Sequence, residues 1–358
     1  MDNAIKNFIE LCKIPSPSGH EEKVREKILT LYKDLGEWKI DDLGNMYLKV
    51  GKGNKALLLN AHIDTVPIDG DSINVIIENG IIKTDGKTIL GADDKSGVIA
   101  ILEGVKRKKD KLNGVVDIVL TVEEETGLKG AKNVNLSYID AKEGFVFDMH
   151  NPPGEIVSES PYHNTFKFFI YGKASHAGAE PEKGINAILL ASRAIGRIKL
   201  GKIDEETTAN IGIIKGGNAT NVVPDFVEVH GEARSRDENK LLKLTDEIIK
   251  IFIEETEKGG GGKLDYYLNR EYNGYKFSED DKLIVLIKRV FDSLNIKPIV
   301  RPTMGGSDSN IFHEKGIKTI VLSCGMMNVH TKEEYIRIED LMKSIDVVER
   351  IIDFYFEN

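Results

Sequence analysis

The stretch Ala56-Leu57-Leu58-Leu59-Asn60-Ala61-His62-Ile63-Asp64 is an apolar run that ends on an imidazole and a carboxylate. In an extended chain residues two apart share a face, so His62 and Asp64 can address one point. A carboxylate so placed can fix the tautomer of a metal-ligating imidazole. A lone His-x-Asp is more often an ordinary histidine at a strand end, so the surroundings decide. Outward from it, residues 46–50, 115–122 and 144–147 are further short β-branched or leucine-rich runs, with a helix expected over 96–105 between two of them. Ser18 and Glu21 have the spacing of a capping box, opening a helix with Val24, Ile28, Leu31 and Leu35 on one face. Near the end, amphipathic helices over 283–294 and 341–355 flank a strand over 319–323. This alternation predicts an α/β layer with a mostly parallel central sheet.

The middle of the chain follows another order. A strand is expected over 165–171, a helix over 184–198, strands over 210–215 and 226–233, a helix over 241–255, and a strand over 263–269 after the glycine run Gly259 to Gly262. The sequence β-α-β-β-α-β can close as a ferredoxin-like α+β sandwich. The expected organisation is a discontinuous first domain, 1–160 and 274–358, interrupted by an inserted domain, 161–273. The glycine run reads as a loop within the insert.

Composition narrows the function. A chain of 358 residues suits two domains of common size. The net charge of −9, with no long basic block, argues against nucleic acid as partner. Asp2, Lys6 and Glu10 interrupt the N-terminus, so it is no secretory h-region. No apolar run reaches the roughly 18 residues needed to span a bilayer. A cytoplasmic enzyme without membrane contact is expected. The only cysteines, Cys12 and Cys324, support neither a disulfide framework nor a thiolate metal site.

Other acids fall where strands end. Asp93 and Asp94, beside Lys95, precede a helix and alone would be a solvated turn. Glu123, Glu124 and Glu125 follow the run 115–122, Asp148 follows 144–147, and His330 lies a few residues past 319–323. Ligands of open α/β sheets gather beyond the carboxyl ends of strands, and five candidate positions falling there together point to a metal site. Imidazoles and carboxylates without thiolate suit zinc, cobalt or manganese. A shared carboxylate can bridge two cations roughly 3.5 Å apart, as in two-metal hydrolases.

These residues resemble a known family. His62-Ile63-Asp64-Thr65-Val66, Gly91-Ala92-Asp93-Asp94-Lys95, Glu124-Glu125-Thr126-Gly127 and Gly305-Gly306-Ser307-Asp308 are similar, in order and across nearly the whole chain, to the co-catalytic zinc exopeptidases, especially their peptidase T-like branch. The resemblance implies two zinc ions per subunit. It makes Asp93 the bridging ligand, because the acid two before the lysine is the ligand in the family's Asp-x-Lys pattern. His62 and Asp148 would complete one site, and Glu125 and His330 the other. It implies Glu124 as general base, Asp64 as orienting carboxylate, and a cis peptide between Asp93 and Asp94. In the insert, Ala174-Ser175-His176-Ala177-Gly178 resembles the family's lid motif, whose histidine reaches the active site across a homodimer and helps hold the oxyanion. Asn221 and Arg234 resemble contacts to the substrate carboxylate. His163, His230 and His313 match no ligand motif and are expected to be structural, and Cys324 to be a small core residue.

The implied function is hydrolysis of amide bonds in short peptides by an aminopeptidase of tripeptidase type. The implied lid doubles as a dimerisation domain. Met149 and His150 follow Asp148 where peptidase T itself tends to have glycines, so the substrate is the open point. An N-acyl-amino-acid deacylase or desuccinylase would use the same centre. An inactive metal-containing binding protein is the alternative from another class, although Glu124 is in place.

Overall fold

Strands covered on both faces by helices need apolar side chains at nearly every position, and two runs satisfy this: all but the first residue of Ala56–His62 and of Val115–Thr121 are buried. In the computed structural model, which describes residues 2–68, 70, 72–258 and 261–357, they pair in parallel, with His62 opposite Thr121. Glu143–Met149 adds in parallel on the other side of Ala56–His62, and Lys318–Ser323 beyond it. Met46–Gly51 adds on one side antiparallel to Val115–Thr121, with Lys39–Ile40 antiparallel beyond it, and Glu155–Ser160 meets Lys318–Ser323 antiparallel at Ile156 and Leu322. The centre is thus parallel and the flanks antiparallel. Helix Ala92–Lys108 is buried from Ala92 to Val105, and it starts four residues earlier than expected, with non-helical backbone at Asp93 and Asp94.

A smaller antiparallel sheet was not foreseen. Val75–Glu78 pairs with Ile81–Thr84, which pairs with Tyr335–Arg337 and, beyond it, Met326–Met327. It matters because the hairpin formed by the last two strands carries residues 328–334.

The expected capping box at Ser18 does not form. Helix Glu22–Leu31 has Glu21 at its N-cap without a side-chain bond to its own backbone. The Ser18 hydroxyl instead donates to Asp64 Oδ2 at 2.7 Å. The Glu21 carboxylate accepts the N–H groups of Gly19 at 2.8 Å and Glu123 at 3.2 Å. Both side chains serve the edge of the sheet where they were expected to serve a helix end. The helix also stops at Leu31, so Leu35 is buried from a separate turn, Lys33–Leu35, and Tyr32 is buried where Leu31 was expected.

The chain divides into two compact units. Met1–Ser158, Lys276–Pro302 and Ser307–Asn358 form one, and Glu159–Tyr275 with Thr303–Gly306 the other. In the second unit the strand order is Gly201–Lys202, Thr207–Gly216, Phe226–Ser235, Tyr162–Tyr171 and Lys263–Tyr272, antiparallel throughout. Leaving aside the two-residue strand, this is the arrangement of a ferredoxin-like sandwich. Helices Ala187–Arg197 and Glu238–Ile253 bury Leu190, Ala194, Leu241, Ile248 and Phe252 with Phe166, Phe168 and Val229 of the sheet, and Phe168 stacks on Phe252 at 3.8 Å. The first helix begins at Ala187, later than expected, because the Asn186 side chain caps it through the Leu189 N–H. Gly259 and Gly260 lie outside the described residues.

Thr303–Gly306, expected in the first domain, belongs to the second unit. Arg234 Nη1 donates to the Met304 carbonyl at 3.3 Å. Gly306 lies so close to Tyr272 that a Cβ there would be 2.2 Å from the ring. No helix among the described residues is long and apolar enough to cross a membrane.

Candidate metal centre

Strand ends assemble the site. His62 is the last residue of its strand, Glu124 and Glu125 lie just beyond Val115–Thr121, and Asp148 is next to last in Glu143–Met149. Residues 16–18 pin the end of the first strand: the Ser16 hydroxyl donates to the Ile63 carbonyl at 3.0 Å, and the Thr65 N–H to the Ser16 carbonyl at 2.9 Å.

The His62 ring is buried. Its Nδ1 lies 3.1 Å from the Asp64 carbonyl oxygen and 3.3 Å from Asp64 Oδ1. Its Nε2 faces Asp93 Oδ1 at 3.1 Å and Asp148 Oδ1 at 3.6 Å. His330 Nε2 lies 3.0 Å from the other oxygen of the same residue, Asp93 Oδ2, and 2.8 Å from Glu125 Oε1. The two oxygens of Asp93 therefore face two different imidazoles, each with a second carboxylate beside it.

Asp94 shares the neighbourhood but is spent differently. Its Oδ2 accepts the His62 backbone N–H at 3.3 Å and its Oδ1 the Gly97 N–H at 3.1 Å, with the Cys324 thiol 3.7 Å away. The peptide between Asp93 and Asp94 is cis. Asp64 holds the next segment: Oδ1 accepts the Glu124 N–H at 3.0 Å and Oδ2 the Glu125 N–H at 3.2 Å. Ligand atoms of Asp93, Glu125 and His330 all lie within 4.8 Å of one another, as do those of His62 with Asp94 and Asp148, and of His62 with Glu124 and Glu125.

So many acids in one buried place shift each other. Burial lowers the His62 pKa, but Asp148, Asp64 and Asp93 outweigh it and hold the ring well above the usual imidazole range. Burial and then Asp148 push Glu124 well above the usual carboxyl range. Burial pushes Asp148 up to about 7, against the pull of His62. Burial works on Asp93 as well, yet His330 and His62 keep it below its ordinary range. Asp93 and Glu125 raise His330 to about 10. Groups packed and shifted like this mark a candidate functional site, and deprotonated carboxylates and neutral imidazoles are the forms that would ligate a cation there. The donors are nitrogen and oxygen alone. Both cysteines are buried, and burial pushes both thiols up.

Two residues of this neighbourhood escaped the sequence reading. Asp308 is buried, accepts from the Thr121 hydroxyl and from Asn60 Nδ2 at 3.5 Å, and is pushed by burial up to about 6. It stands in the quartet Gly305 to Asp308, so its signal was visible but unassigned. Glu334 is 1% exposed, and its carboxylate accepts three backbone N–H groups around Asp93. Within Lys332-Glu333-Glu334 nothing distinguishes it from an acid on a solvated loop.

The other expected residues lie in the second unit. His176 is exposed, and its Nδ1 accepts the N–H groups of Gly178 at 3.2 Å and Ala179 at 3.1 Å, which leaves the proton on an outward Nε2. The Ala177 N–H donates to the Asn221 carbonyl at 2.9 Å, so these two segments are tied together. Arg234 donates to Glu232 Oε2 at 3.0 Å. The histidines without a ligand motif have structural neighbours: His163 stands 2.9 Å from Glu232, His230 beside Glu228, and His313 Nε2 2.9 Å from the Thr319 carbonyl.

The chain is similar to known proteins in sequence and fold. Residues 58–353 match Peptidase family M20/M25/M40. The uncharacterized protein YqjE of Bacillus subtilis strain 168 is 37% identical, over 98% of this chain and 97% of its own. Among solved structures, aminopeptidase PepT from Bacillus cereus superposes with a TM-score of 0.87 at 36% identity, covering 98% of this chain and 97% of that one. A tripeptidase from Staphylococcus aureus superposes with a TM-score of 0.91 at 32% identity, covering 99% and 98%. The chain belongs to peptidase family M20/M25/M40.

Proposed function

We propose that this chain is a cytoplasmic dinuclear metallopeptidase, an aminopeptidase of tripeptidase type. The observation that carries the reading is Asp93, whose two carboxylate oxygens face His62 and His330 separately. That is the disposition a bridging ligand needs. The fully overlapping relatives that are an aminopeptidase and a tripeptidase support the substrate class, and the absence of cysteine pairing is in keeping with the compartment.

His62, Asp93 and Asp148 would hold one cation, and Asp93, Glu125 and His330 the other. Asp93 is preferred to Asp94 because the Asp94 oxygens are committed to backbone N–H donors. The donor set suits zinc, with cobalt or manganese as substitutes. Bound there, the cations would polarise the scissile carbonyl and acidify water. Asp64 orients the His62 ring and fixes the backbone of Glu124 and Glu125. Glu124 takes the proton from the attacking water and delivers it to the leaving amine.

The second unit is assigned as lid and homodimerisation domain. His176 would donate from Nε2 to the developing oxyanion across the dimer, a contribution often worth about 3 kcal/mol. Asn221 and Arg234 would meet the substrate carboxylate, Arg234 by sharing its guanidinium with Glu232.

The test is a Glu124→Gln variant with a panel of free tripeptides and N-acyl-amino acids, products read by mass. The parent should cleave tripeptides and require a free α-amino group. The variant should keep its cations and lose about 10²–10⁴-fold in kcat. An unchanged rate would remove Glu124 from the proton transfer, and turnover confined to acylated amino acids would make the enzyme a deacylase.

A further inference from the structure

The segment that leads into helix Ala92–Lys108 lies at the centre of the site; its backbone is non-helical at Asp93 and Asp94, and the Asp94 carboxylate accepts the Gly97 N–H at 3.1 Å where the regular turns begin. Ahead of those turns the buried N–H groups of Leu90, Gly91 and Asp93 need an acceptor, and Gly91, with φ +70°, has no side chain to offer one. A Cβ at this position would sit 3.2 Å from both Lys95 Nζ and Thr65 Cγ2. The missing acceptor arrives from the far end of the chain. Glu334 Oε2 accepts the N–H groups of Leu90 and Gly91, each at 2.7 Å, and Oε1 accepts that of Asp93 at 3.0 Å.

Glu334 is four residues from His330, in the connection between Met326–Met327 and Tyr335–Arg337, and its N–H donates to the Thr331 carbonyl at 3.2 Å. One short turn therefore grips Asp93 twice: His330 faces its Oδ2, and Glu334 takes its backbone N–H.

We propose that Glu334 is a positioning residue that holds the shared ligand Asp93 in register with His330, so that cation affinity depends on a side chain that touches no cation. This rests on the reading of Asp93 as bridging ligand. Glutamine at 334 keeps the volume but offers one acceptor oxygen and turns an NH₂ group against N–H donors. Partners of ligands at this remove typically change metal affinity by about 10–100-fold.

Zinc affinity of full-length Glu334→Gln, measured by competition with a chromophoric chelator on protein shown by circular dichroism to be folded, should fall by about 10–100-fold. Its peptidase activity, lost at limiting zinc, should return with excess cobalt or zinc, which a purely structural defect would not allow. Parent-like affinity in the folded variant, or lost activity that no cation restores, overturns the proposal. Should Glu334→Gln not fold, Glu334→Asp keeps the charge one methylene short and is read by the same two outcomes. Asp93→Ala separates the layers. If it keeps both cations, the underlying reading of the site has failed; if it loses them while Glu334→Gln binds like the parent, this inference alone has failed.

Discussion

Burial pushes Asp148 up to about 7, Asp308 up to about 6 and Glu334 up to about 7. A carboxyl whose folded pKa lies above its unfolded value of about 4 binds a proton that the unfolded chain has already released. Chelator-treated protein should therefore lose stability as pH rises from about 5 to 7. His330, raised to about 10 by Asp93 and Glu125, acts in the same direction, since its contribution is complete below its unfolded value and fades as pH climbs toward 10. Carboxyls held below their ordinary range, such as Glu232 at about 2 beside His163, finish titrating below this window and do not oppose the trend. Added zinc favours the ionised carboxylates and should give its largest gain in Tm at the alkaline end. Calorimetric melts in chelator from pH 5 to 8 check this, and a Tm that rises with pH would contradict the assignment of these groups to one repelling cluster.

Among the elements, helix Ala92–Lys108 is held closest by its neighbour. Gly104 lies against helix Ile338–Phe356, where an added Cβ would meet Val348 Cβ at 2.6 Å and the Ile345 carbonyl oxygen at 3.1 Å. Alanine in a helix interior is worth up to about 1 kcal/mol over glycine, but overpacking a close crossing costs about 1–3 kcal/mol. Gly104→Ala should therefore destabilise, and a higher urea midpoint would show that the helices can part. The long apolar strands and amphipathic helices were legible because burial on two faces, or along one stripe, writes a pattern into local sequence. Ile81–Thr84 and Tyr335–Arg337 were not, since they are three or four residues long and find each other across some 250 positions. Ser18 and Glu21 misled for a related reason: their local spacing matched a cap, while Asp64 and the Glu123 backbone were the better partners. Strand ends located the candidate ligands and the family resemblance already preferred Asp93 to Asp94; the folded geometry adds the physical difference, Asp93 facing two histidines and Asp94 facing backbone donors.

At the scale of the molecule, the second unit exposes Ile188, Leu189, Ile213, Ile214 and Val222. These residues come from its first helix, one outer strand and the His176–Asn221 neighbourhood. Exposed apolar side chains of this kind are what association covers, and under the proposed dimer sedimentation equilibrium should give twice the chain mass of 39.8 kDa. An Ile214→Asp variant should shift toward monomer, and a parent already monomeric at micromolar concentration would remove the dimer. The deeper claim is that residues 62, 93, 125, 148 and 330 form one two-cation centre around a shared carboxylate. Counting zinc per folded chain by mass spectrometry, in parent and Asp93→Ala side by side, tests it most directly. The account predicts two in the parent and fewer than one in the variant; a parent that holds a single cation, or a variant that keeps its full complement, would contradict it.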